Sequence, residues 1–416
     1  MKKYMLYKKI EAEKYIIYLI MMLIIMQGNS VYVYITNSNQ FLIIGVMILL
    51  LFLCYLQRKI LITENLKVFL LLFSVSMGSL SLYNYETPSL LFLTICFCLF
   101  LLFENKKDLI FKMLYAFSDI AFIIAIISFI LFVTINVLGL VNMNKAYSNL
   151  IIPWGTNNYQ SFFDIYFTIS NWTTQSNIFN FRGSPNTGVF TEGPMFAYTL
   201  VIALYIELMF KRRINYTRII IISLTCLTTF SDNALIGLFL CILVYYYSKV
   251  SNKNIRKIYI LLGIIIVTIF ILTVLNLKFS AKNMSFSIRL DDIFASLRAF
   301  MNNPIIGVGF NNPRALDQYR EFYSNRLGGN STGFLAILAY GGIIWGIWYA
   351  IPFVYSLINI FKRQIKQKVA TNGFIIITFI LLINISIHDR LISFWICSIS
   401  WAFIFQKYFF KEDLCA

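Results

Sequence analysis

The sequence predicts an all-α fold: a polytopic integral membrane helical bundle of about 12 transmembrane helices, with two long extracytoplasmic loops containing short amphipathic helices. Three observations predict it. The 416 residues are 59% hydrophobic and 13% charged, with mean hydropathy +0.75, whereas an ordinary soluble chain is about 45–50% apolar and about 25% charged. Windows of roughly 20 apolar residues, enough to cross a hydrocarbon core about 30 Å thick, recur almost from end to end. Basic residues also alternate between rich and poor connections, as they do in chains that weave through a bilayer.

The spans fall near residues 15–35, 41–56, 68–83, 89–103, 114–140, 194–210, 219–231, 234–248, 258–277, 331–360, 369–386 and 391–406. The first, YIIYLIMMLII, follows a basic start but lacks a small-residue cleavage site and is followed by further spans, so it reads as a helix and not a signal peptide. Of the 35 Lys and Arg, 25 lie on the side of the termini, so the termini are expected to be cytoplasmic. The net charge of +17 is then mostly a topology signal, and no nucleic-acid partner is expected. All cysteines but Cys415 lie in apolar windows, and Cys96 and Cys98 have C-x-C spacing, so a packing role is read, with no disulfide or metal site.

A single transmembrane domain over residues 1–416 leaves little room for chemistry on the cytoplasmic side. The loops QRK, ENKKD and KRQIKQK are short and basic, and the chain has neither a P-loop nor G-x-G-x-x-G. The opposite side carries the long connections 141–194 and 277–330, and segments of that length are usually functional. Of its 10 basic residues 7 are arginines, Arg182, Arg289, Arg298, Arg314, Arg320, Arg326 and Arg390. Arginine forks match phosphate oxygens in a way a lysine point charge does not.

In the first connection, NFRGSPNTGVFTEGPMFAY leads into a span through glycine turns, with Pro194 suited to a first helical position. Glu192 would sit just outside that helix, either as a capping carboxylate or as an acid–base group. In the second, Leu290, Ile293, Phe294, Leu297, Phe300 and Met301 share one arc of about 120° on a helical wheel, the pattern of a surface helix with one buried face. Two glycines in PIIGVGF then end the helix. Between the connections, LTTFSDNALIGLF has room only for two short helices meeting at Ser231, Asp232 and Asn233, a hairpin whose polar tip faces a central cavity. Glu207 reads as a structural partner of Lys211 at i, i+4. Asp119 stays open, and His388 in the turn HDR reads as a surface loop residue.

Three patches carry a resemblance: FRGSPNTGVFTEGPMFAY, LTTFSDNALIGLF, and SIRLDDIFASLRAFMNNPIIGVGF followed by GGNSTGFLAILAYGGIIWG. In this order they resemble the O-antigen polymerase and ligase superfamily, membrane enzymes acting on undecaprenyl-diphosphate glycans. Ligases of that pattern typically carry a histidine before the following span, where this chain has Gly328, Gly329 and Asn330, which favours the polymerase branch.

The resemblance implies a repeat-unit polymerase that joins undecaprenyl-diphosphate-linked oligosaccharides at the outer face of the bacterial cytoplasmic membrane and releases undecaprenyl diphosphate. The bilayer, a chain-length regulator and a flippase are the further partners it implies. The leaving diphosphate must be met by preorganised positive charge, for which Arg182, Arg289 and Arg298 are the candidates, supported by Arg320 or Arg314. The acceptor hydroxyl needs a base, with Glu192 first and Asp291 second, and Asn330 would orient a sugar. No cofactor and no metal are expected. The alternatives are a ligase passing glycan to lipid A core or another acceptor, and a flippase or transporter of lipid-linked oligosaccharide, although a transporter would concentrate its charges at broken helices near the midplane.

Overall fold

The structure, a computed structural model, describes the chain except residues 1, 58–63, 84–87, 105–106, 153–154, 170–174, 177–180, 183–184, 251, 253–254, 256–257, 260–283, 311, 322–331, 361–365, 384 and 406–416. It is mainly helical. In chain order come α1 (Lys2–Gln27), α2 (Val31–Thr36), α3 (Asn39–Gln57), α4 (Glu64–Tyr83), α5 (Pro88–Glu104) and α6 (Lys107–Phe132), the last prolonged by a π-helical turn at Val133–Val137. After five strands follow α7 (Gly193–Met209), α8 (Tyr216–Thr228), α9 (Asp232–Lys249), α10 (Met284–Asn302), α11 (Pro313–Asp317), α12 (Phe334–Ile360), α13 (Lys366–Ile383) and α14 (Leu391–Phe405). Among the described residues, Asn39–Leu56, Asp108–Val137 and Phe334–Ile360 are long and apolar enough to cross a membrane, and five shorter apolar helices accompany them. The span expected at 258–277 lies almost wholly outside the described residues.

Helix α7 is the axis of the bundle. It is apolar on every side, the pattern of a helix buried all round, and it packs against α6, α8, α9 and α13. Helix α5 packs on α14, while α1 joins α3 and α6. These helices share one hydrophobic core, in which Trp345, Trp395, Tyr198 and Tyr205 are among the largest enclosed side chains.

The first long connection departs from expectation. Its described part holds strands, not amphipathic helices: β1 (Lys145–Ile152), β2 (Gly155–Phe162) and β3 (Tyr166–Ile169) form an antiparallel meander, and β4 (Gln175–Ser176) pairs with β5 (Phe181–Arg182). Runs such as YFTI are rich in β-branched and aromatic residues and favour a half-buried pleated surface. Val31 of α2 packs with Tyr159, Phe167 and Ile169 in a second, small core.

Helix α10 forms as expected but with its faces exchanged. Asp291, Asp292, Ala295, Ser296 and Ala299 are buried, whereas Phe294, Leu297 and Met301 point outward, Met301 at 75% exposure. The polar side finds partners inside, since Asp292 pairs with Arg320 at 3.1 Å and Asp291 accepts the Glu321 amide at 3.1 Å. In a chain that lives in lipid, an apolar face turned outward costs little and a satisfied polar face turned inward is allowed.

PIIGVGF has a specific place. Helix α12 is interrupted at Gly342, which takes φ 59° and ψ −156°, a conformation that an L side chain rarely adopts. The loop after α10 fills the break. Val308 and Gly309 donate to the Ala339 and Tyr340 carbonyls at 2.8 and 3.1 Å, while Ile343 and Ile344 donate to Pro304 and Ile305 at 2.8 and 3.3 Å. The backbone groups freed by the interruption are therefore satisfied by protein, as an apolar surrounding demands.

Candidate active site

The hairpin α8–α9, the start of α7 and the start of α10 enclose an open cavity of about 560 Å³. It is lined by Pro185, Glu192, Gly193, Pro194, the tip Thr229 to Asn233, and Arg289. The polar tip expected to face a cavity does so.

Local chemistry builds each wall. Ser231 caps α9 by accepting the Asn233 amide at 3.2 Å. Asn186 donates its backbone N–H to Thr228 O at 3.0 Å and its side-chain amide to Thr228 Oγ1 at 2.9 Å, so the loop before α7 is stitched to the hairpin. Gly193 allows the closest approach: a Cβ there would stand 2.6 Å from the Thr229 carbonyl oxygen. On its other side the loop is fixed by Thr191, whose amide and hydroxyl both donate to Asn29 O, at 3.0 and 3.1 Å.

Glu192 occupies the N-cap of α7 in extended backbone, yet its side chain makes no capping hydrogen bond. Of the two roles left open by the sequence, the capping carboxylate is thus not the one adopted. Glu192 is partly buried, and the protein packed around its carboxyl raises it to about 7, while the opposing pull of Arg289 keeps the rise from being larger. The first residues of α7 and α9 both line the cavity, so two helix N-termini bring partial positive charge to the same space as Arg289, and the Asp232 carboxylate at the start of α9 stands against that charge. Such a cavity can receive an anion beside a carboxyl that titrates near neutrality.

Behind Glu192 lies a group that sequence reasoning did not assemble. Arg390, from the turn before α14, donates to the Tyr34 hydroxyl at 2.8 Å, and Tyr34 donates to Asn29 Oδ1 at 3.0 Å. Only the order of charged residues in HDR hinted at this, because Tyr34 and Arg390 are 356 positions apart.

The other candidate residues are distributed differently. Arg298 donates to Tyr319 O at 3.1 Å and to the Glu321 carboxylate at 2.6 Å. Arg320 is buried between Asp292 and Asp317. Together with Asp291 they brace the segment after α11 against α10 and do not line the cavity. Arg314 is exposed on α11. Arg182 pairs through its backbone with Gln175, its side chain lying outside the described residues, as does Asn330. Among the described residues no group of three or more His, Cys, Asp or Glu is placed to hold a metal ion.

His388 corrects the sequence reading. It is buried at 5% exposure, stacked on Tyr340 at 5.1 Å and within 3.4 Å of Ser386 Oγ, and burial lowers its pKa. The turn HDR folds inward because Arg390 and Asn29 anchor it: Asn29 Nδ2 donates to Ser386 O at 3.2 Å.

A family model described as O-antigen ligase matches residues 217–350, from the start of the hairpin through α10 into α12. No curated protein and no solved structure matches the chain. The matched segment supplies the hairpin tip and Arg289 to the cavity, and the match supports this chain's membership of the O-antigen polymerase and ligase superfamily.

Proposed function

We propose that the chain is a polysaccharide repeat-unit polymerase, a metal-independent glycosyltransferase that takes its donor glycan from a lipid diphosphate. The family match supports a membrane function of the O-antigen ligase and polymerase type, and the step from there to polymerase is our reading. It would act at the outer face of the cytoplasmic membrane, with both termini inside. The observation that carries the reading is Glu192, raised to about 7, facing Arg289 across a cavity bounded by two helix N-termini.

In the proposed reaction the donor's undecaprenyl diphosphate lies against Arg289 and the N-termini of α7 and α9. Glu192, deprotonated, accepts the proton of the acceptor sugar hydroxyl as that oxygen forms a bond to the donor's reducing-end carbon. The bond from this carbon to the diphosphate oxygen breaks, and the departing negative charge is met by the guanidinium and the helix termini. Arg182 and Asn330 would complete the contacts to diphosphate and sugar. Arg298, Arg320 and Asp291 take supporting roles through the brace on α10, and Arg314, exposed on α11, stands outside it.

The test is to delete the gene in its host, restore it with the parent or Glu192→Gln chain, and separate the surface polysaccharide on a gel. A ladder with the parent and a single-repeat product with Glu192→Gln is the expected result. Loss of surface glycan with long polymer left on its lipid carrier would instead establish the ligase reading, which the description of the matching family favours.

A further inference from the structure

We propose that the β2–β3 hairpin tip is a lipid anchor, inserting Phe163 and Ile165 into the headgroup–acyl boundary of the membrane beside the end of α6. Phe163 is 67% and Ile165 46% exposed. The turn places Phe163 at φ 50° and Asp164 at φ 56°, left-handed positions where asparagine or glycine is the ordinary occupant. A bulky apolar residue kept in this conformation, packed only edge-on against its neighbour Phe162 at 4.8 Å and otherwise turned outward, calls for an apolar surrounding.

Two features identify that surrounding as lipid. The ionisable group of the tip is drawn back: the Asp164 carboxylate accepts from Lys145 at 3.0 Å, from Ser161 Oγ at 3.1 Å and from the Tyr147 hydroxyl. The tip is also tied to the end of α6, whose outward surface is apolar and whose helix is long and apolar enough to cross a membrane. Ile130 belongs to that outward surface, and past it Val137, Leu138 and Leu140 are all exposed. The hairpin is fastened to this segment, because Asn136 Nδ2 donates to the Tyr166 hydroxyl at 2.9 Å and the Phe163 amide donates to Asn144 Oδ1 at 3.0 Å. Lys145, half-exposed at the base of the turn, suits lipid phosphate at that depth.

The anchor reaches the candidate site through the sheet. Tyr159 donates to Thr191 O at 2.9 Å and the Phe167 amide to Gly188 O at 2.9 Å, so the sheet holds the segment that ends in Glu192.

The test places the photoreactive residue p-benzoylphenylalanine at Phe163 in the full chain and irradiates it in vesicles of phosphatidylethanolamine and phosphatidylglycerol. Ile130 serves as the lipid-facing control and Gln160, exposed on β2, as the aqueous one. Lipid adducts at Phe163 near the Ile130 level, at least about tenfold above Gln160, are expected from the partition of one aromatic side chain. Adducts at the Gln160 level while Ile130 is labelled would overturn the proposal, as would cross-links between two copies of the chain in place of lipid. Should the Phe163 replacement fail to insert, the probe moves to Ile165. There Phe163→Asn, better suited to the left-handed turn, is expected to lower lipid adducts about tenfold, and an unchanged yield would overturn the anchor.

Discussion

At one end of α7, Glu207 meets Lys211 at 2.8 Å and Arg218 at 2.9 Å and accepts the Ser118 hydroxyl at 2.5 Å. At the other end, about 22 Å away at 1.5 Å per residue, Glu192 faces a cavity with Arg289 in its wall and makes no capping hydrogen bond. The Glu207 end is completed by Asp119, which pairs with Lys211 at 3.0 Å and Arg218 at 2.6 Å and accepts from Tyr18 at 2.6 Å. Two carboxylates and two cations there balance and tie α1, α6, α7 and α8 together. The same helix thus carries a neutralised carboxylate that fastens the bundle and a poised one that is left available. A buried charge with partners is a structural element, and one set beside an open anion-receiving cavity is a candidate for chemistry.

The comparison can be broken most forcefully at Glu192. Glu192→Gln is expected to lower polymer synthesis by about 10²–10⁴-fold, the range for loss of a general base. The protein itself should not suffer. A carboxyl raised by folding adds stability that is fully present below its unfolded pKa and is lost as pH rises through about 7. The melting temperature of Glu192→Gln in detergent at pH 8 should therefore equal or exceed the parent's.

Arg218→Ala reverses the pattern. Leaving Glu207 and Asp119 with one cation between them is expected to cost about 3–5 kcal/mol of stability, visible as a fall in melting temperature and in membrane yield. A large loss of activity per correctly folded molecule would contradict a purely structural role. A smaller effect tests the fit of α7 against the hairpin: Gly193→Ala sets a Cβ 2.6 Å from the Thr229 carbonyl and is expected to destabilise by about 1–3 kcal/mol. Arg314→Ala, at an exposed position on α11 outside the cavity wall, should change the melting temperature by less than about 0.5 kcal/mol equivalent.

Much of the cavity was legible in the sequence because it is made of local signals. A Gly–Pro pair after Glu192, a short apolar hairpin with Ser-Asp-Asn at its tip, and Arg289 at the head of an amphipathic run each announce themselves within a few residues. The pairing of Glu207 with Lys211 was legible for the same reason. What the sequence did not reveal depends on where faces point. The wheel for α10 separates its apolar and polar arcs correctly, but periodicity cannot say which arc meets protein when the outside is lipid. His388 was misread because its burial arises from stacking on Tyr340 and from a turn whose Ser386 carbonyl is held by Asn29, 357 positions away. The strands at 145–169 were missed because they are short and offer little period-2 alternation, and their small core borrows Val31 from a distant helix.

The most direct test of the central claim is the pH dependence of polymer synthesis by the purified chain in vesicles supplied with lipid-diphosphate oligosaccharide. With Glu192 as the base, the rate should climb with pH through an apparent pKa near 7. Arg289→Ala should move that limb to higher pH, because the charge that holds the carboxyl down is gone. A limb that stays in place in Arg289→Ala, together with an unchanged profile and rate in Glu192→Gln, would contradict the assignment of this cavity as the active site.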